Sequence, residues 1–548
     1  MVEDYSIKVK QLVDDLKGIS ANAGLGGEAG EYNLVTQSFL YKFLNDKFLY
    51  EIAKLHPSYD FAKISKLSES DYQMLLVELA GIAKLRPSQL IESLYNRQNE
   101  VDFAKTFDDT LNQISVDNNA IFSVHTAGNT DIRLFEERLI NDIVRDSSKR
   151  NDVAKAIIAK LASVKFDDAI FAQGFDFFST IFEYMIKDYN KDGGGKYAEY
   201  YTPHSVAKII AEILVGDDHP RSVKAYDPSA GSGTLLMNIA SKIGTDKVSI
   251  YSQDISQKSS NLLRLNLILN NLSHSINNIV QGNTITENKH TEKMDYVVSN
   301  PPFKLDFSDW QPQVSSLPNY TERFFAGVPN IPRSAKDKMA IYLLFIQHIL
   351  WSLNDKGKAA VVVPTGFITA QSGIEKKIRE KLVENHWLKG VVSMPSNIFA
   401  TTGTNVSVVF MDKSGSNEER ANRKPVLVDA SKLGEKRTDD GNQRTYLSAE
   451  EEAQIVSAFT ATEPIDDFSV MPSWDEIREK NCSFAAGQYF DITIDYVDIT
   501  GEEFDAKIAD TREELREIQA ESERLNALIL ESLGKLKVSE SLERRSDE

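Results

Sequence analysis

Four consecutive residues, Asn300-Pro301-Pro302-Phe303, close the apolar run Tyr296-Val297-Val298-Ser299 and bring together groups suited to holding an amino nitrogen. The run reads as a buried strand, and the two prolines stop it abruptly. That places an Asn amide oxygen and the Pro301 carbonyl at the carboxyl end of a parallel strand, where open α/β sheets bind their ligands. Both oxygens accept hydrogen bonds, so together they can take the two hydrogens of one exocyclic NH2 group. Phe303 can stack on the ring that carries this group. The same tetrapeptide also makes a plain turn, and the residues upstream decide between the two readings.

Upstream, Asp227-Pro228-Ser229-Ala230-Gly231-Ser232-Gly233-Thr234 follows the strand Lys224-Ala225-Tyr226 and opens a helix from Leu235 to Ile243. The small residues Gly231, Ser232, Gly233 and Thr234 let a ligand approach the backbone at a helix N-terminus. The loop lacks the Gly-x-Gly-x-x-Gly of a dinucleotide site. Asp227 beside the glycines suits a positively charged amino acid moiety instead. One β–α unit later Tyr251-Ser252-Gln253-Asp254 closes a second strand. There the Asp254 carboxylate either grips a ribose diol or caps the helix that follows. Gln281-Gly282-Asn283-Thr284 ends a third strand, with Asn283 either an adenine-edge contact or a turn residue.

These loops need a sheet to carry them. Between residues 196 and 415, short β-branched runs alternate with helical patterns, among them Val248-Ser249-Ile250-Tyr251, Ala359-Ala360-Val361-Val362-Val363 and Val406-Ser407-Val408-Val409-Phe410. Such alternation predicts an α/β fold with a doubly wound, mostly parallel sheet. Residues 1–165 read as a helical domain, with Phe39, Leu40, Phe43, Leu44, Phe48, Ile52 and Leu55 at helical spacing, as is the segment from Tyr72 to Ile82. The Gly-rich stretch Ala23 to Gly30 reads as a linking loop. Residues 166–195 form a linker, with a hinge at Asp192-Gly193-Gly194-Gly195. The catalytic domain spans 196–480, less regular after 416, and 481–548 is a C-terminal segment. Its helix, about 502–537, places Phe504, Ile508, Leu515, Ile518, Leu525 and Ile529 on an approximate heptad seam that Thr511 and Ser522 interrupt. So polar a helix needs a partner face, supplied either by another subunit or by the chain's own N-terminal helices.

Composition narrows the classes. The 548 residues are 41% hydrophobic and 26% charged, which is ordinary for a globular protein with a real core. No apolar run approaches the length of a membrane span, and the acidic start Met1-Val2-Glu3-Asp4-Tyr5 is no secretory signal. The single Cys482 fits a reducing cytosol, and no Cys/His cluster has metal-ligand spacing, so no metal is expected. A net charge of −19 argues against autonomous tight DNA binding, though not against DNA as substrate.

The order of motifs is specific where each motif alone is not. The Gly-rich loop, acidic strand end, polar strand end and Asn-Pro-Pro-Phe follow one another at intervals of one β–α unit. The chain resembles the modification (M) subunits of type I restriction-modification systems, which are DNA adenine-N6 methyltransferases, and the resemblance covers essentially its whole length. Gln37-Ser38-Phe39-Leu40-Tyr41-Lys42-Phe43-Leu44-Asn45-Asp46 is similar to the family's opening helices, and Gly357 to Gly366 and Pro395-Ser396-Asn397-Ile398-Phe399 to its later strands. Glu199-Tyr200-Tyr201-Thr202-Pro203-His204 resembles the family's Tyr-(Phe/Tyr)-Thr-Pro-Arg segment, in which the Thr hydroxyl and nearby backbone would hold the methionine carboxylate of S-adenosyl-L-methionine. His204 stands where the family usually has Arg, and Asn283 where it often has Asp; an amide still offers adenine a donor and an acceptor.

The resemblance implies a helical N-terminal domain, a Rossmann-like S-adenosyl-L-methionine-dependent methyltransferase domain and a C-terminal helical tail in a cytoplasmic protein. It implies that duplex DNA is the substrate, with the adenine flipped out of the stack. Asn300 and the Pro301 carbonyl then accept both N6 hydrogens, which favours a pyramidal nitrogen with its lone pair free to attack the sulfonium methyl. It also implies a separate specificity (S) subunit that reads DNA, a second M subunit and a restriction (R) motor subunit. The helix at 502–537 is then the candidate for docking the specificity subunit. Rival readings are a methyltransferase acting on RNA bases or a protein glutamine, and an idle DNA-clamp subunit that binds the cofactor only structurally.

Overall fold

The apolar β-branched runs pair into one eleven-stranded sheet in the computed structural model, which describes residues 2–26, 29–79, 82–171, 175–186, 202–399, 405–439, 442–490 and 500–534. Its strands in chain order are β1 (Val124–Thr126), β2 (Asp131–Ile132), β3 (Val223–Asp227), β4 (Val248–Asp254), β5 (Ile279–Gln281), β6 (Met294–Ser299), β7 (Leu353–Pro364), β8 (Leu388–Ser393), β9 (Val406–Asp412) and β10 (Val426–Asp429). A hairpin outside the sheet, β11 (Glu435–Asp439) with β12 (Asn442–Tyr446), follows, and β13 (Ser469–Val470) returns to the sheet edge. The spatial order is β13-β10-β8-β9-β7-β6-β3-β4-β5-β1-β2, and all but β2, β9 and β13 run the same way.

Side chains alternate across the pleat. Ala225, Tyr296, Val298, Ala360 and Val362 enter the core on one face, and Tyr226, Val297, Ala359 and Val361 the core on the other. Helices Thr234–Ile243 and Gln257–Leu269 pack into the first core, and Tyr342–Ser352 and Gly373–Glu384 into the second. The chain runs outward from β3 through β4 to β5, then lays β6 against the opposite side of β3. That reversal is the point at which a doubly wound sheet opens a ligand crevice.

The N-terminal residues are mostly helical, as expected, with Phe39, Leu40, Phe43, Leu44, Phe48 and Ile52 buried on the helix Ala29–Leu55. Leu55, expected in that core, is the last residue of its helix and 51% exposed, because the chain leaves the packed face there. The helix over Tyr72 runs from Glu69 to Glu78. Strands β1 and β2 also lie among residues read as helical, and β1 extends the sheet by parallel pairing with β5, His125 opposite Val280 and Thr126 opposite Gln281. Arg264 secures this addition. Buried within the helix Gln257–Leu269, it donates to the carbonyls of Phe122 at 3.1 Å and Ile132 at 2.8 Å. Residues Met1–Phe490 form one compact unit, and one apolar cluster runs through it from Val9 to Phe468.

A second unit, Asp491–Glu548, contains the helix Gly501–Gly534, which covers the expected tail helix as far as Gly534. Residues 535–548, like the hinge Asp192-Gly193-Gly194-Gly195, lie outside the described residues.

Candidate active site

The carboxyl ends of β6, β3, β4 and β5 lie side by side, so Asn300, Asp227, Asp254 and Asn283 share one edge of the sheet. Asp227, the last residue of β3, is buried, and its Oδ1 accepts from Ser229 N at 2.9 Å and from Ser299 Oγ at 2.9 Å. Burial, with the neighbouring Asp254 carboxylate adding to it, raises its pKa to about 7. The loop then turns through Gly231 at φ +54° and Gly233 at φ +83°, left-handed angles that glycine adopts without strain. Gly233 also packs so closely that a Cβ there would meet Leu263 Cδ1 at 2.3 Å.

Asp254 ends β4 with both carboxylate oxygens engaged, Oδ2 by Gly231 N at 3.1 Å and Oδ1 by Ser256 N at 2.8 Å. The helix after it is capped by Ser256, two residues on, whose hydroxyl accepts from Ser259 N, so the capping role considered for Asp254 falls to Ser256. Burial raises the Asp254 pKa. The next residue, Ile255, is 50% exposed, an apolar face at a strand end that its place after Asp254 could have flagged from sequence.

Across the switch point Asn300 follows β6 directly and is buried. Its Nδ2 donates to Thr202 Oγ1 at 3.2 Å, so the Tyr-Thr-Pro segment and the Asn-Pro-Pro loop meet. Pro203 and His204 begin the helix His204–Val215, which packs against the helix of the Gly-rich loop. Thr202, Asp227, Ser229, Ser232, Thr234 and Asn300 line a common pocket. Pro301 is buried, Pro302 is half-buried, and Phe303 lies edge-on to Tyr342, ring centroids 6.2 Å apart. Glu199, Tyr200 and Tyr201 lie outside the described residues.

The side-chain oxygen of Asn283, Oδ1, accepts from Ile285 N at 3.0 Å and Thr286 N at 3.3 Å, which fixes a turn and leaves Nδ2 as the end that can serve a ligand. Beneath this turn lies a network that sequence reasoning missed. Arg323, fully buried, donates to the carbonyls of Thr284 at 2.7 Å and Ile285 at 3.0 Å, and through Nε to His348 Nδ1 at 3.0 Å. His348 Nε2 reaches Tyr226 Oη at 3.0 Å, next in chain to Asp227. With Nδ1 accepting, the ring is neutral and Nε2 carries the proton; burial and the guanidinium hold its pKa well below the usual histidine value. The network therefore joins the loop after β5 to the end of β3. The Thr284 hydroxyl, near the carbonyls of Pro228 (2.8 Å) and Gln253 (3.0 Å), ties the same loops from above.

A doubly wound sheet with a carboxylate-bearing Gly/Ser loop on one side of its switch point and Asn-Pro-Pro-Phe on the other defines an S-adenosyl-L-methionine-dependent methyltransferase. Residues 173–495 match the family profile described as N-6 DNA Methylase, and the chain belongs to that family. It is an adenine-specific DNA methyltransferase. The methylase subunit of the type I restriction enzyme MpnII from Mycoplasma pneumoniae is 26% identical over 88% of both chains. The methylase subunit of HindI from Haemophilus influenzae is 24% identical over 66% of this chain and 78% of that protein. Among solved structures, the methyltransferase subunit of a type I restriction-modification system from Streptococcus thermophilus superposes with a TM-score of 0.67 at 20% identity, covering 89% of this chain and 100% of that one. The resemblance to type I modification subunits seen in the sequence is borne out by these relatives.

Proposed function

We propose that Asn300, Pro301, Pro302 and Phe303 form the catalytic loop that holds a flipped-out adenine for methylation at N6. The observation that carries this reading is the Thr202–Asn300 hydrogen bond. With Nδ2 committed to Thr202, the amide presents Oδ1 as an acceptor, the polarity an exocyclic amino group requires. The Pro301 carbonyl is the second acceptor, and Phe303 offers its ring to the base.

The donors on the other side of the pocket suit S-adenosyl-L-methionine. Asp227 faces its ammonium, Asp254 its ribose, and Ile255 and Asn283 its adenine. Gly231, Ser232, Gly233 and Thr234 give it backbone access, while the segment of Glu199, Tyr200, Tyr201, Thr202, Pro203 and His204 serves its carboxylate through Thr202. The bound cofactor supplies an electrophilic methyl group on a sulfonium. Asn300 and the Pro301 carbonyl withdraw the N6 hydrogens from the plane of the ring and direct the nitrogen lone pair.

The chain acts on DNA as part of an assembly with other subunits, in this reading a type I restriction-modification complex in the cytoplasm. A specificity subunit reads the target, a second M subunit completes the grip on duplex DNA, and an R subunit cleaves unmodified sites. Support comes from the relatives' names and from the net charge of −19, which calls for a reader elsewhere. Among the described residues no helix is long and apolar enough to cross a membrane. In the helix Gly501–Gly534, the seam residues Phe504, Ile508, Leu515, Ile518, Leu525 and Ile529 are 39–65% exposed, as a surface for the specificity subunit would be.

The test is methyl transfer from labelled S-adenosyl-L-methionine to DNA, RNA and protein, with and without the co-purifying partner and with Asn300→Ala as control. N6-methyladenine in DNA only with the partner present is the expected result. Label in RNA or protein, or in DNA without a partner, would overturn the proposed assembly.

A further inference from the structure

The segment between the catalytic loop and the helix Tyr342–Ser352 folds around a small core of its own, containing Phe307, Val314, Phe324 and Met339. From it one loop, residues 328–338, projects into solvent. Its roots are fixed. Gln347, fully buried, accepts from Ala326 N at 2.8 Å and donates to the Gly327 carbonyl at 3.0 Å. At the far root the Met339 carbonyl accepts from Leu305 N at 3.1 Å, two residues beyond Phe303. Between these anchors Asn330, Ile331 and every residue from Arg333 to Lys338 are exposed.

Arg333, Lys336 and Lys338 are the cations of this loop, and Lys304, directly after Phe303, is exposed beside its base. Among the described residues none of the four closes an ion pair, although Asp337 lies within the loop and Asp306 feels the charge of Lys336. Cations without an ion-pair partner create a local potential that draws an anion, even on a chain carrying −19. Ile331, 38% exposed between Pro329 and Pro332, adds an apolar face, and Ala335 holds a left-handed conformation at φ +57°. That conformation is strained for a non-glycine residue, and such residues concentrate where ligands are clamped.

We infer that the loop 328–338, together with Lys304, is a DNA-backbone grip that holds the phosphates of the strand beside the flipped adenine. The inference rests on the reading of this chain as a DNA methyltransferase. It assigns the loop no sequence selectivity, because phosphate contacts position a duplex without reading it. The grip is local, and its partner is the polyanion that the catalytic loop serves.

The test is DNA affinity as a function of salt, using the chain assembled with its co-purifying partner and a duplex fragment that this assembly methylates. Arg333→Ala, Lys336→Ala and Lys338→Ala are combined in one variant. Each lost phosphate contact reduces the slope of log affinity against log salt by about 0.9, so the slope should become shallower by roughly 2.7. Over a four-fold rise in salt the unaltered assembly then loses about 40-fold more affinity than the variant. Turnover at saturating DNA and cofactor affinity should stay unchanged, and the charge-conserving variant Arg333→Lys, Lys336→Arg, Lys338→Arg should restore the slope. An unchanged slope, or lost turnover without a change in slope, overturns the inference. Failure of the unaltered assembly to methylate DNA would instead overturn the reading beneath it.

Discussion

Asn300 Nδ2 donates to Thr202 Oγ1 at 3.2 Å, joining residues 98 positions apart from two segments that each looked like part of a different subsite. The bond fixes which end of the amide faces the pocket. Thr202→Val keeps the shape and removes the acceptor, so the amide can rotate and present its NH2 to the substrate amino group. Turnover should fall about 10–100-fold, and Asn300→Ala should lower it by about 10³ or more, judged by the cost of removing single preorganised polar contacts elsewhere. Cofactor affinity measured by calorimetry should survive Asn300→Ala. Parallel loss of affinity and turnover would remove the role assigned to Asn300.

Asp227 gives a pH dependence. Its pKa is raised from 3.8 to about 7 by burial, with the Asp254 carboxylate adding to the shift. A carboxyl whose folded value lies above its unfolded value favours the fold most when both states are protonated. This contribution is therefore lost as pH rises from about 4 through 7. A cationic ammonium needs the ionised form, so cofactor affinity should run the other way. It should weaken roughly ten-fold per pH unit below about 7, with proton release on binding above the half-point suppressed. Asp227→Asn should bind weakly at every pH and flatten the profile; a variant that keeps the slope would assign the titration elsewhere.

Arg323 neutralises no carboxylate in its hydrogen bonds; it holds two backbone carbonyls and a histidine nitrogen. Arg323→Met leaves those acceptors buried without their donor, which costs about 2–4 kcal/mol in urea unfolding. Because the acceptors belong to the loop carrying Asn283, cofactor affinity should weaken even where the protein remains folded. If stability drops and affinity holds, the network is a scaffold only.

Gly233→Ala places a Cβ against Leu263 Cδ1 at 2.3 Å and on a backbone with φ +83°. Both faults add, and thermal unfolding should report a loss of about 1–3 kcal/mol with weakened cofactor binding. Adding Leu263→Ala should relieve the clash and leave the strain, so recovery should be partial. Full recovery would show that the positive φ carries little cost here.

Removal of the helix Gly501–Gly534 should abolish co-purification with the proposed specificity subunit while Met1–Phe490 keeps its cofactor affinity, as measured by pull-down and calorimetry. An intact complex would place the docking surface elsewhere.

The sequence by itself determined the order of the strand ends and the chemistry each carries. Asp227, Asp254, Gln281 and Ser299 all close strands that short β-branched runs announce, and the turn residues beside them sit within a few positions. Strand and turn signals are local, so a strand end and its ligand-facing residue are written in one short window. Only tertiary structure decided how these windows meet. Nothing periodic marks Thr202 as the partner of Asn300, Arg323 as the support of the loop after β5, or Arg264 as the tie holding the segment around β1. Strand β1 is three residues long, too short for an alternation to register, and its place beside β5 follows from long-range pairing. Leu55 kept its helical spacing yet lost its burial, because periodicity fixes the face of a helix and packing fixes how much of that face is covered.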